Sequence, residues 1–141
     1  MFDTLKKSIE EMLERHRQQP FLDACMASCA LVAMADGKVS LSEQSRIDDV
    51  LEAIDRLSLF DVHEAIDLFN AYVDGIRENP VKGRKAALDT VERMADDAES
   101  GELLVRICLA VSQADGDYAR SERDQIIGVC SRLGLLLEDF E

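Results

Sequence analysis

The sequence predicts an all-α protein of about seven helices, and three observations carry that prediction. Apolar residues recur at three- and four-residue steps along most of the chain, and no stretch alternates at period two. Glycine and proline fall between these amphipathic stretches rather than inside strand-like runs. One stretch also occurs twice. Ala35-Asp36-Gly37-Lys38-Val39-Ser40-Leu41-Ser42-Glu43 returns without a gap, at an offset of 79, as Ala114-Asp115-Gly116-Asp117-Tyr118-Ala119-Arg120-Ser121-Glu122. Both copies read Ala-Asp-Gly-x-apolar-x-x-Ser-Glu, and both follow an apolar run and precede an amphipathic one. At the same offset Cys29 matches Cys108, Val32 matches Val111, Ile47 matches Ile126 and Val50 matches Val129. This is the pattern of a duplicated helix–loop–helix unit, with two apolar helices crossing at the centre and related by an approximate two-fold.

The elements follow in order. Phe2, Leu5, Ile9, Met12, Leu13 and His16 form the apolar stripe of an amphipathic helix over 4–18, with mixed charges on its other face, and this helix packs on the domain. Pro20 suits the first turn of the next helix, which runs to about Ala35. Phe21, Leu22, Cys25, Met26, Cys29, Leu31, Val32 and Met34 cover most of its circumference, as a central helix requires. Gly37 then suits a positive φ just past the helix end. Ser40 and Glu43 form a capping box ahead of a helix at 41–57, and Asp61-x-x-Glu64 repeats that signature ahead of another to Arg77. Asn79-Pro80 starts a helix at 81–98 with Val81, Ala87, Leu88, Val91, Met94 and Ala95 facing inward. Ser100 caps the second nearly all-apolar helix, which carries Leu103 to Val111. After the second loop a helix at 120–133 ends at Gly134, and Leu135 to Phe140 form a short closing helix.

At 141 residues and 15.7 kDa the chain is long enough for one domain with a full core, comprising an N-terminal helix at 1–19 and a core at 20–137. Sixteen basic residues against 29 acidic give a net charge of −13. Nucleic acid and anionic membrane surfaces are therefore poor partners, while divalent cations and basic proteins are favoured ones. No run reaches the roughly 20 consecutive apolar residues of a membrane helix, and Asp3, Lys6, Lys7, Glu10 and Glu11 interrupt any signal-peptide core. A cytoplasmic protein without membrane insertion is expected. Cys25, Cys29, Cys108 and Cys130 match no zinc spacing, and with only His16 and His63 to join them they read as small core residues. There is no Ser/His/Asp or Cys/His arrangement and no Gly-rich phosphate loop, so no enzymatic activity is expected.

Asp-Gly-x-apolar-x-x-x-Glu is the second half of an EF-hand loop. Asp36 and Asp115 take the fifth position, and Glu43 and Glu122 the twelfth. The first and third positions hold Val32 and Met34, or Val111 and Gln113, and apolar side chains cannot ligate a hard cation. Neither loop alone makes a calcium cage. Two half-loops meeting through Val39 and Tyr118 would gather Asp36, Glu43, Asp115 and Glu122, with Asp117 beside them. Such carboxylates repel unless protonated or bridged, and an oxygen-only set suits Ca²⁺, then Mg²⁺ or Mn²⁺. The local alternative makes the glutamates helix caps. Against it, Ala119 stands where Ser40 stood, so Glu122 has no capping hydroxyl to answer it.

The doubled Ala-Asp-Gly-x-apolar-x-x-Ser-Glu motif resembles the TerB tellurite-resistance family. So do Leu59-Phe60-Asp61-x-x-Glu64-x-Ile66-x-x-Phe69-Asn70 and Ser131-Arg132-Leu133-Gly134, and the likeness covers roughly 20–137. The resemblance implies a cytoplasmic all-helical domain. It also implies divalent-metal binding at Asp36, Gly37, Glu43, Asp115, Gly116 and Glu122, and action with membrane-integral partners in chemical-stress and phage defence. Lys38 and Ala119 depart from the more polar or acidic loop of that family. Tellurite is itself an oxyanion, and a protein of net charge −13 should repel it. Two readings follow: a metal-binding interaction module, or a metal-free scaffold that docks a partner through its acidic face or its C-terminal apolar end.

Overall fold

The computed structural model describes residues 3–7, 19–57, 61–113 and 118–141. Among these, every regular element is helical. We label them α1 (Gln19–Ala33), α2 (Leu41–Leu57), α3 (Val62–Glu78), α4 (Pro80–Glu92), α5 (Ala98–Ser112) and α6 (Arg120–Leu133), followed by a 3₁₀ turn at Leu137–Asp139. Residues 3–7 are helical, with Leu5 packed on the core; the rest of the predicted N-terminal helix, including His16, lies outside the described residues.

Most helix ends follow from local chemistry. Ser40 and Glu43 form the reciprocal capping box: the Glu43 amide donates to Ser40 Oγ at 3.1 Å and the Ser40 amide to Glu43 Oε1 at 3.0 Å. Asp61 accepts from the His63 amide and Asn79 from the Lys82 amide, with Pro80 in the first turn of α4. Gly134 closes α6 in the left-handed region at φ 72°, and the Leu135 amide reaches back to the Cys130 carbonyl at 2.9 Å.

The structure differs from the sequence expectation between α4 and α5. Helix α4 ends at Glu92 rather than 98, and the chain tightens into i→i−3 bonds from Arg93 to Thr90, Met94 to Val91 and Ala95 to Glu92. The cap of α5 is Asp97, not Ser100. Asp97 Oδ1 accepts the Ser100 amide at 3.3 Å, and Ser100 Oγ donates to Asp97 Oδ2 at 2.9 Å. Val81 and Ala95, expected to face inward, are exposed. The inner stripe of α4 runs through Arg84, Ala87 and Val91, and Val81 stands in the first turn, ahead of the buried part of the helix, which begins at Ala87. The closing segment is the 3₁₀ turn, with Leu137 buried and Leu136 exposed.

Helix α1 is the axis of the domain. Every residue from Ala24 to Met34 is buried, and α1 packs on each of the other five helices. Helix α5 packs on α1, α2 and α6. The contacts between the two repeat units are reciprocal, α2 lying on α5 and α6 on α1.

Four glycines sit inside helices rather than between them, and one has a clear physical reason. A Cβ on Gly83 would lie 2.5 Å from the Gly75 backbone, so α3 and α4 cross in backbone contact. The Tyr72 hydroxyl donates to Thr90 Oγ1 at 2.9 Å across the same pair of helices, and Thr90 Oγ1 donates to the Ala86 carbonyl. Helix α4 is thereby fixed against α3 and presents its inner stripe to α1.

Candidate cation-binding loops

The two copies of the repeat build matching helix ends. Helix α1 ends at Ala33 and α5 at the equivalent Ser112; α2 begins at Leu41 and α6 at the equivalent Arg120. The last-turn bond from Met34 to Ala30 (3.0 Å) has its counterpart from Gln113 to Leu109 (2.9 Å). The first-turn bond from Gln44 to Ser40 (2.9 Å) has its counterpart from Arg123 to Ala119 (3.0 Å). Repetition in sequence is therefore repetition in the helix ends that flank the two loops.

In the first copy, the chain leaves α1 through tightened bonds from Ala35 to Val32 and Gly37 to Met34. Gly37 then takes φ 94°, which glycine alone adopts without strain. Asp36 is exposed and its Oδ1 accepts the Lys38 amide at 3.3 Å, a short turn that holds the carboxylate at the loop tip. Val39 packs against the core, and Glu43 is only 6% exposed.

In the second copy Asp115, Gly116 and Asp117 lie outside the described residues. Tyr118, equivalent to Val39, also packs on the core. Burial, together with the nearby Glu141 carboxylate, pushes its phenol from the ordinary 10.0 up to about 12. Ala119 caps α6 without any side-chain bond, yet Glu122 is 9% exposed, as enclosed as Glu43. Arg123 grips Glu141 with two hydrogen bonds, at 3.0 and 3.2 Å. Among the described residues no three His, Cys, Asp or Glu side chains are grouped to hold a metal ion; that set does not include Asp115 and Asp117.

Two features escaped the sequence reading. Arg84, on the inner stripe of α4, donates from Nη2 to the Met34 carbonyl at 3.2 Å, capping the end of α1 from another helix. The signal was a cation three residues before Ala87 and seven before Val91, on an apolar face. The Arg123–Glu141 pair joins residues 18 apart and had no local signal. The four cysteines are free and buried. Cys25 beside it raises the Cys29 thiol, and burial raises Cys108 and carries Cys130 to about 11, so these thiols stay protonated at neutral pH.

The family model described as Tellurite resistance protein TerB matches residues 22–141. The chain belongs to the TerB family. The matched span takes in both loops and all of α2 to α6, with α1 from Leu22 onward. A relative called Tellurium resistance protein TerB, from an Alcaligenes species, is 24% identical over 102 residues, or 72% of this chain and 84% of that protein. No solved structure matches. TerB membership ties the protein to tellurite resistance. No helix among the described residues is long and apolar enough to cross a membrane.

Proposed function

We propose that the protein is a non-catalytic interaction module of tellurite resistance and stress response, in which one divalent cation bridges the two acidic loops. Asp36, Glu43, Asp115 and Glu122 are its ligand set, with Asp117 at the rim, and Ca²⁺ fits that set better than Mg²⁺ or Mn²⁺. The observation that carries this reading is Glu122. At 9% exposed it is as enclosed as Glu43 at the equivalent place of the other copy, so each acidic loop is followed by one sheltered glutamate. The reciprocal packing of α2 on α5 and α6 on α1 supports an approximate two-fold relation between the two units. Ordering two loops with a cation would fix the surface that a partner protein reads. That partner would include a membrane-integral component of tellurite resistance, which would hold this cytoplasmic module at the inner membrane.

Melting curves with calcium and with a chelator test the reading. Calcium should raise Tm in the natural protein and fail to do so in Asp36→Asn combined with Asp115→Asn. Curves that coincide with and without calcium would favour a metal-free scaffold. In that second reading the partner docks on the acidic surface or on the C-terminal end, where Leu136 is 60% exposed.

A further inference from the structure

We propose that Arg84 is a tethered counter-cation of the first acidic loop: it fixes the end of α1 and lowers the affinity of that loop for a free cation. The second half of this inference rests on the cation-binding reading above; the first half does not. Arg84 reaches from α4 to the Met34 carbonyl, two residues before Asp36. That carbonyl belongs to the negative end of the helix dipole of α1, where a fixed positive charge is stabilising. Arg84 is half-buried, its Nε is enclosed without a hydrogen-bond partner, and among the described residues no carboxylate pairs with it. Its charge is thus offered to the helix end and not neutralised by an acid. Its position is also fixed, because the preceding residue, Gly83, is in backbone contact with α3.

The second copy differs. Among the described residues no side chain donates to the carbonyl of Gln113, the equivalent of Met34. Lys38 adds a second positive charge to the first loop, where the second loop has Asp117; Arg120, where the first copy has Leu41, offsets one of the three acids of the second. The two half-sites are therefore electrostatically unequal. The first carries its own cation, and a bound metal ion is drawn toward the second.

The test uses Arg84→Met, which keeps the stem and removes the charge, and Arg84→Lys, which keeps the charge. Amide exchange at residues 36–40, read without metal, should quicken on the order of tenfold in Arg84→Met. Calcium affinity should rise on the order of fivefold in Arg84→Met and change little in Arg84→Lys. Unchanged exchange in Arg84→Met, in a protein that still melts cooperatively, would overturn the positioning role. Quicker exchange with calcium uptake that is the same with or without the charge would overturn the counter-cation role. Quicker exchange with no calcium uptake by any variant would refute the cation-binding reading and reduce Arg84 to a helix cap. Should Arg84→Met not fold, the exchange and affinity of Arg84→Lys against Arg84→Gln decide the same points.

Discussion

Ala119 and Ser40 occupy the same place in two copies of one structure, and only Ser40 has a hydroxyl to give. Ala119→Ser should therefore complete the second capping box and stabilise the fold by about 0.5–1 kcal/mol, read as a higher urea midpoint with an unchanged slope. An unchanged or lower midpoint would mean that the Glu122 amide does not donate to the new hydroxyl. The cysteines give a second prediction at this scale. All four thiols are buried away from any reagent, and those of Cys29, Cys108 and Cys130 are also raised above the ordinary 9.0, so they are poor nucleophiles at neutral pH. A thiol-reactive dye should label the native protein hardly at all and the denatured protein at all four positions. Fast labelling of the native form would reopen thiol chemistry with tellurite.

Among the elements, α4 holds the arrangement together from one side. Its contact with α3 through Gly83 leaves no room for a methyl group, so Gly83→Ala must push the helices apart and should cost about 1–3 kcal/mol. The equivalent change at Gly75, where a Cβ would meet nothing within 4 Å, should cost far less. Helix α4 is joined to α6 by Arg132, which lies 2.6 Å from Asp89 and 3.3 Å from Glu92. Arg132 and Lys85 hold the Asp89 carboxyl below its ordinary 3.8. A lowered carboxyl contributes stability above the ordinary value and loses it as the pH falls through the lowered one. Arg132→Ala should thus lower Tm at neutral pH, and the loss should shrink as the pH falls through the lowered value and the Asp89 carboxyl takes up its proton. Helix ends marked by a single capping residue were legible in the sequence: Ser40, Asp61, Asn79 and Gly134 all act as their types predict. The α4–α5 junction was not. Asp97 and Ser100 are both good caps three residues apart, and no glycine or proline marks where α4 stops. Met94, just past that stop, is buried, and burial is a tertiary fact that local sequence does not carry.

At the scale of the molecule, the repeat was the most legible feature, because equal sequence at an offset of 79 produced helix ends at equal offsets. The central place of α1 was legible for a related reason: a helix apolar on every side has to be surrounded. The candidate site was legible only as far as its residue types. Enclosure of Glu43 and Glu122 emerges from packing, and Arg84 comes to the first loop from a helix 50 residues away, a distance no local pattern spans. The acidic surface of the whole molecule, at net charge −13, favours a cation or a basic protein partner over tellurite itself. The most direct measurement is a calcium titration followed through the amide resonances of both loops. A bridging ion predicts that residues 36–43 and 114–122 shift together along one binding curve, at one ion per chain. Shifts confined to one loop, or none at millimolar calcium, would contradict it.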